Sequence, residues 1–374
     1  MHIELPVVSF ISAFLVLIPL PWYCKSRNAP AISISLWLFI ANIVNGINSV
    51  IWADNTRIVA PVWCDIVTKI LVGTNVAIPT SIFCLCAYLE RASLAGQSYN
   101  SQKRRILYIN ILLCLGVPIA YMILHSVVQA QRFDIVESFG CRANIYDSVP
   151  SIFLLWIPPL VFSLGACIVA GLALRRFWIN RIVIGKHLQA STFALTTPQY
   201  FRLMSMAFVQ ILWSVYIASF NIWLTVKHGL HLWISWSDVH SNFSHIGIFP
   251  TALVSRQEFT YTLICWWTIP ITSLIFFVFA LGEETMEQYG IRSSWFRHCS
   301  SWLQDLWLNI TDRLPMSFRK QPPLPTHLQV EVSVAKFSDK LQSPQSPKFP
   351  SVYPVPLHAY IPTKHALSSE TLYC

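Results

Sequence analysis

The chain has 374 residues, of which 54% are hydrophobic and 11% are charged, and its mean hydropathy is +0.52. Soluble domains carry about 25% charged residues, so this many apolar side chains cannot be hidden in one soluble core, and a membrane protein with several spans is predicted. The net charge of +9 is not clustered in any segment that reads as a soluble fold. This excludes nucleic-acid binding and assigns the excess charge to cytoplasmic loops.

Seven apolar runs are long enough to cross a membrane. The first, residues 5–24, has 20 residues without a charge, and a helix of that length spans about 30 Å, one hydrocarbon thickness. The runs are about twice as long as barrel strands and lack alternating polarity, which favours helices. We therefore predict an all-α protein in which residues 1–282 form a seven-transmembrane-helix bundle. The predicted spans are residues 5–24, 31–52, 63–89, 106–128, 150–174, 203–226 and 261–282.

The basic residues predict the orientation of the bundle. Lys25 and Arg27 follow the first run rather than precede it, which favours a membrane anchor over a cleaved signal peptide. If the N-terminus lies outside, the inner loops hold eleven Lys and Arg residues and the outer loops five, with nine more in the C-terminal tail. This bias predicts an outer N-terminus and a cytoplasmic C-terminus.

Three asparagines mark one face of the second span. Asn42, Asn45 and Asn48 are spaced by three and share one helix face. Amides are costly in lipid, so this face should point into the bundle. Hydrogen bonding between helices is the commoner role of such groups, and ligand contact is the alternative.

The third span carries polar residues that make it the candidate functional centre. Asp65 and Lys69 have the i, i+4 spacing of a helical ion pair, and Asn75 lies deeper in the span. The pair either neutralises itself or meets a charged or polar ligand group, and the residues alone do not decide between these roles.

Two cysteines are predicted on the outer, oxidising side. Cys64 lies at the outer end of the third span, and Cys141 lies in the outer loop before the fifth. This topology favours a disulfide over two free thiols. Such a bond would hold the loop across the mouth of the bundle.

The outer loop of residues 227–262 contains a glycosylation sequon at Asn242. It also has four histidines, at positions 228, 231, 240 and 245, with Trp233 and Trp236. Their spacing fits no standard metal site, so an interfacial aromatic surface is predicted, with a pH-sensitive ligand loop as the alternative.

The sequence changes character after Glu283. Residues 283–314 have aromatic residues at helical spacing, which predicts an amphipathic helix in the cytoplasmic interface, where Cys299 is a weak candidate for palmitoylation. Residues 315–374 are rich in Pro, Ser and Lys, and a disordered cytoplasmic tail is predicted.

Motifs of catalysis and transport are missing from the sequence. It has no phosphate-binding glycine loop, no HExxH, no GxSxG and no nucleophile with a base. We predict no enzyme activity, no cofactor and no metal. Corresponding broken helices in two halves are also missing, which disfavours a transporter.

The chain resembles the fungal mating-pheromone receptors of the a-factor class, which are seven-helix G-protein-coupled receptors for lipid-modified peptides. The most specific match is QAQRFDI at residues 129–135, followed by Glu137 and Gly140-Cys141. Further matching stretches are Pro21-Trp22, Trp37, Asn48 to Trp52, Trp63-Cys64-Asp65-Ile66, Lys69-Ile70, Ala77-Ile78-Pro79, Tyr200 to Met204, Val239-His240 and Gly282-Glu283-Glu284. They cover most of the first 290 residues, in one order and topology.

The resemblance implies a plasma-membrane receptor that binds a lipidated, farnesylated type of peptide pheromone and activates a heterotrimeric G protein. The predicted ligand-binding residues are Asn48, Asp65, Lys69, Arg132, Asp134 and Glu137. The predicted coupling residues, on the inner side, are Arg91, Arg175, Arg176, Arg181, Lys186 and Arg202. The alternatives are a pheromone-receptor-like orphan or constitutively active receptor and, less favoured, a transporter.

Overall fold

The structure, a computed structural model, describes residues 3–92, 99–190, 197–252, 254 and 256–280. Within them seven helical segments are long and apolar enough to cross a membrane, which confirms the predicted seven-helix fold class. Numbered in order, span 1 to span 7 are Glu4–Lys25, Ala29–Ile51, Pro61–Arg91, Arg104–Val128, Val149–Arg176, Tyr200–Lys227 and Phe259–Ala280. The predicted interfacial helix 283–314, the predicted tail 315–374 and Cys299 lie outside the described residues.

Prolines change the helix type inside two of the spans. The π-helical turn Leu112–Gly116 lies just before Pro118, and the π-helical turn Ile152–Trp156 lies just before Pro158. A proline removes a backbone donor and its ring crowds the carbonyl four residues earlier, and the wider turn accommodates both effects. The α-helices are α1 (Glu4–Leu17), α2 (Leu20–Lys25), α3 (Ala29–Ile51), α4 (Pro61–Ala92), α5 (Tyr99–Ile111), α6 (Val117–His125), α7 (Val149–Ser151), α8 (Ile157–Ala190), α9 (Thr197–His228), α10 (Trp236–Val239) and α11 (Arg256–Ala280).

Span 3 is the central helix of the bundle. In its most apolar window 72% of the residues are buried, against 22–56% for the other spans. It packs against spans 2, 4, 5 and 6. Polar groups on this helix are therefore placed where they contact other spans and the loops above them.

A small sheet, which the sequence did not predict, lies at one end of the bundle. Strand β1 (Phe133–Val136) pairs antiparallel with β2 (Gly140–Arg142) and parallel with β3 (Ile246–Phe249), in the order β2-β1-β3. All four residues of β1 are buried, so the strand lacks the alternating polarity that reveals a strand in a sequence. We call the segments that carry this sheet, residues 129–148 and 229–252, the cap.

Candidate functional site

The cap is joined covalently to the central helix. A disulfide links Cys64, in the first turn of α4, to Cys141 in β2, with the two Cα atoms 5.3 Å apart. Both residues are buried, with exposed fractions of 1% and 3%. The bond holds β2 against the end of span 3, and it joins the pair that the sequence analysis favoured.

The hairpin between β1 and β2 is also held by the end of span 2. The Ser138 amide donates to the Trp52 carbonyl at 2.7 Å, and the Ser138 hydroxyl donates to the Ala53 carbonyl at 3.0 Å. Gly140 has a φ of +83°, and a Cβ there would lie 2.6 Å from Cβ of Asn48. Only glycine fits both the left-handed backbone and the close approach.

Asp65 binds an arginine of the cap. Arg132 Nε donates to Asp65 Oδ1 at 2.8 Å, and its terminal nitrogen donates to Oδ2 at 2.5 Å. The hydrogen bonds to Asp65 raise the pKa of the Arg132 guanidinium above its ordinary value. Of the two roles that the sequence left open for Asp65 and Lys69, the mutual ion pair is not the contact described, because the Asp65 carboxylate turns to Arg132 of the cap instead of along its own helix.

Lys69 connects span 3 to the end of span 4. Its Nζ donates to Ser126 Oγ at 2.9 Å and to Gln129 Oε1 at 2.7 Å, and it lies 2.9 Å from His125 Nδ1. Gln129 Nε2 in turn donates to the Arg132 carbonyl at 2.6 Å. Lys69 and Asp65 thus hold the same cap segment from two points one helical turn apart.

The other three predicted ligand residues also lie in or directly under the cap. Asn48 Oδ1 accepts from the Trp63 indole at 2.9 Å, and Asn48 Nδ2 is buried without a partner among the described residues. Asp134 is buried and accepts from Arg142 at 3.3 Å and Asn144 at 3.0 Å. Glu137 Oε2 accepts from the amide and the hydroxyl of Thr251, at 2.7 and 2.8 Å.

The structure therefore brings the six predicted ligand residues to one end of the bundle, where most of their polar atoms bind the cap itself. Whether they bind a ligand stays a prediction. Their observed contacts build a rigid, cross-linked cover over spans 2 and 3.

The asparagine face of span 2 points inward, as expected. Asn42, Asn45 and Asn48 are buried. Asn42 Nδ2 donates to Ser273 Oγ of span 7 at 2.7 Å, so this residue has the interhelical role. Asn45 Nδ2 and Asn48 Nδ2 have no partner within the described part of the chain.

A cavity lies within the bundle, between spans 2, 3, 5, 6 and 7. It measures about 610 Å³, which includes space open to its surroundings. Asn75 is exposed although it lies on the most buried helix, because its side chain borders this space. Its amide makes no hydrogen bond with the described residues. Polar and aromatic lining residues include Asn75, Trp156, Trp213, Asn221, Thr268 and Thr272.

Sequence reasoning singled out Asn75 but missed its neighbours in the cavity. Asn221 Oδ1 accepts from the Tyr261 hydroxyl at 2.8 Å, and the Trp156 indole donates to Thr225 at 3.1 Å. These residues come from three spans, so only the packing of helices brings them together. An asparagine in an apolar run was the signal available at Asn221.

At the end of the bundle away from the cap, an ion pair connects spans 3 and 5. Arg176, the last residue of span 5, donates to Glu90, which lies in the last turn of α4. Arg175 is exposed, and Arg91 and Arg202 are half-buried. The side chains of Arg181 and Lys186 lie outside the described residues. Arg176, one of the predicted coupling residues, thus forms a salt bridge between two spans.

The loop between spans 6 and 7 exposes Asn242, the predicted glycosylation site. Its His240 Nε2 lies 2.9 Å from the Ser126 carbonyl, and the Trp233 indole donates to the Val127 carbonyl at 3.3 Å. The loop is thereby attached to the end of span 4. In the part of the chain that the structure describes, no three His, Cys, Asp or Glu side chains gather as metal ligands.

Comparison with known proteins places these features in a family. Residues 4–299 match the family described as Pheromone A receptor. Over 293 residues the chain is 42% identical to the Pheromone B beta 1 receptor of Schizophyllum commune, covering 77% of this chain and 54% of the relative, about half its length. It is 31% identical to Pheromone receptor 1 of Mycosarcoma maydis, over 76% of this chain and 81% of that one. It is also 23% identical to the Pheromone a factor receptor of Saccharomyces cerevisiae, over 79% and 62% respectively.

Proposed function

Because the chain belongs to the Pheromone A receptor family, we propose that it is a plasma-membrane receptor that binds a lipidated peptide pheromone and activates a heterotrimeric G protein. Family membership supports the receptor role, and the seven spans support a multi-pass membrane protein. The lipid on the ligand and the G protein follow from the resemblance to a-factor receptors.

We place the cap on the outer face of the membrane. A disulfide forms in an oxidising compartment, and the one described here joins Cys64 to Cys141 of the cap. The distribution of Lys and Arg favours the same orientation. In this orientation the ligand approaches the cap, and the end that carries Glu90 and Arg176 meets the G protein.

The cavity within the bundle is the observation that carries the proposed ligand site. It is lined by residues of five spans, so a ligand that fills it contacts all of them at once. A ligand shifts a receptor toward its active state only if it binds that state more tightly, and contact with several helices provides for this difference. Asn75 supplies an unused amide for the peptide, among indoles that suit apolar groups.

The lipid group gives the ligand its route to the receptor. Each CH₂ group that enters the membrane contributes about 0.8 kcal/mol to partitioning, so the ligand concentrates in the outer leaflet. Asp65 and Lys69 at the cap end of span 3 and Arg132 of the cap then stay as proposed contacts for the peptide, alongside Asn48, Asp134 and Glu137. In this proposal Arg91, Arg175, Arg181, Lys186 and Arg202 contact the G protein, and Arg176 joins them when its bond to Glu90 opens.

A reporter assay tests the receptor function. The chain would be expressed in a fungal cell that lacks its own pheromone receptor but retains the G-protein pathway. A response to certain farnesylated peptides, and a much weaker response to the same peptides without the lipid, is expected. Silence toward the whole panel, with the receptor present at the cell surface, would contradict the proposal. A high signal without peptide would indicate constitutive activity instead.

The ligand site is tested with two asparagines that receive the same substitution. Asn75→Ala should raise the half-maximal peptide concentration roughly two- to tenfold, since one hydrogen bond contributes roughly 0.5–1.5 kcal/mol. Asn110→Ala is the matched control, because Asn110 is buried in span 4 and does not border the cavity. Equal effects of the two substitutions at equal surface expression would remove Asn75 from the site.

A further inference from the structure

Alternate residues of one cap segment form a row of exposed apolar side chains. We call Leu230, Leu232, Ile234 and Trp236 the apolar row; their exposed fractions are 41%, 81%, 73% and 55%. His231 forms a β-bridge with Ser148, and Ser235, just before α10, has an extended backbone; along such backbone every second side chain points the same way. Four large apolar residues exposed at alternate positions of one segment are unusual on a surface that faces water.

The residues between them fasten the segment to the bundle. The His231 amide donates to the Asp147 carbonyl at 2.8 Å, and the Trp233 indole donates to the Val127 carbonyl at 3.3 Å. His240 Nε2, just after α10, lies 2.9 Å from the Ser126 carbonyl. One side of the segment is thus attached to the ends of spans 4 and 5, and the opposite side carries the apolar row.

The apolar row continues a surface that already faces lipid. Beside its attachment points span 4 exposes Ile123 at 67%, and span 5 exposes Val149 at 50% and Phe153 at 61%. These side chains are exposed on helices long and apolar enough to cross a membrane, so they lie on the surface that lipid would cover. At the start of the segment the Lys227 ammonium lies 5.0 Å from the Trp223 ring, an arrangement of an aromatic ring and a cation that suits the boundary between lipid and water.

Charge favours a phospholipid surface as the occupant. Residues 227–236 include a lysine and two histidines but no acidic residue, so nothing in this segment repels lipid phosphates. The two residues that directly follow the apolar row, Ser237 and Asp238, are exposed and polar.

We propose that the apolar row inserts into the interface of the lipid leaflet on the cap side and makes the cap a peripheral membrane surface. The inserted side chains lie about 5–10 Å into the boundary between headgroups and acyl chains, the depth of amphipathic surfaces of this kind. This inference concerns lipid contact and stands whether or not the pheromone function holds. If that function holds, the row meets a ligand dissolved in the same leaflet.

Depth-dependent fluorescence quenching tests the inference. The full chain would carry a genetically encoded fluorescent amino acid at Leu232 or, in a second variant, at Ile234, and would be reconstituted in phosphatidylcholine vesicles that contain some phosphatidylserine. Nitroxide lipids and aqueous iodide serve as quenchers. The same probe at Asp238 or Ser241 is the matched control, because these residues are exposed on the same cap segment.

Probes at Leu232 and Ile234 should be quenched several-fold more by nitroxide lipids than by iodide, and the control probes should show the reverse order. Stronger quenching by iodide at both row positions would show that the row faces water. Protection from both quenchers would show that protein covers it. Either result overturns the proposal. A probe replaces an exposed side chain without loss of packing, and the second position serves if one variant fails to fold.

Discussion

The two ends of span 3 each carry a carboxylate bound to an arginine from elsewhere in the chain. At the cap end Asp65 binds Arg132, and the same end is also joined to the cap by the disulfide and by Lys69. At the other end Glu90 binds Arg176 of span 5. The disulfide that the structure describes lies at the cap end and joins two cysteines that are 77 residues apart in sequence.

The difference indicates which end is suited to move. The cap end is held by a covalent bond and several hydrogen bonds that share one segment, so breaking a single contact leaves the others in place. At the Glu90 end the described contact between spans 3 and 5 is a salt bridge, which, unlike a disulfide, can separate when the two spans move apart. This arrangement would let ligand binding at a stable end change the end that is proposed to meet a G protein.

The largest expected effect comes from removing the covalent bond. A disulfide that closes a loop of 77 residues stabilises by up to about 4.5 kcal/mol through loop entropy. The double substitution Cys64→Ala and Cys141→Ala should therefore lower the melting temperature of the purified receptor strongly and reduce the amount that reaches the cell surface.

Cys24→Ala is the control, because Cys24 is an exposed free thiol. Thermal unfolding in detergent, without reducing agent, measures both variants. If the double variant melts at the temperature of the control, the cap does not depend on its disulfide, and the contrast between the two ends fails.

Sequence patterns predicted the membrane spans of this protein better than its side-chain contacts. Apolar runs predicted seven spans because burial in lipid needs some 20 residues of one character. The partner of Asp65 lies 67 residues away and those of Lys69 lie 56 to 60 residues away. The local i, i+4 spacing left an ion pair between these two residues open, and tertiary contacts provided both with other partners than the next turn of the helix.

The short sheet and the cavity escaped prediction for related reasons. Strands of three and four residues that are buried show no alternation. The cavity exists only between packed helices. In the sequence Trp156 lies in one apolar run and Trp213 and Asn221 lie in another, and nothing there indicates that they border one space. The cysteine pair was accessible to sequence reasoning because topology placed both thiols on one side of the membrane.

A smaller effect is expected when the salt bridge between Glu90 and Arg176 is removed. Glu90→Gln should raise signalling in the absence of peptide roughly fivefold, because removing a partly buried ion pair changes a two-state equilibrium by about 1 kcal/mol. Arg176→Gln should act in the same direction. The side chains are 18% and 39% exposed, so solvent screens the pair only in part.

Reporter activity without peptide, normalised to surface receptor, measures this effect. Arg105→Gln removes one positive charge from an exposed position just beyond the start of span 4 and controls for charge alone. Unchanged basal activity in both Glu90→Gln and Arg176→Gln would show that the pair does not hold the inactive state.

The smallest expected effect is at the cap pair. Asp65 and Arg132 are both 36% exposed, so water screens their attraction, and other contacts hold the same segment. Asp65→Asn should raise the half-maximal peptide concentration roughly two- to threefold and leave the basal signal unchanged. Arg132→Gln should do the same, and the double substitution should be no worse than either single one, because the bonded pair meets the peptide as one unit and either substitution breaks that unit. Peptide dose responses of the four receptors measure the cycle. Multiplying effects would mean that the two residues act separately, each on the ligand. A raised basal signal would mean that the cap end, like the Glu90 end, takes part in holding the inactive state.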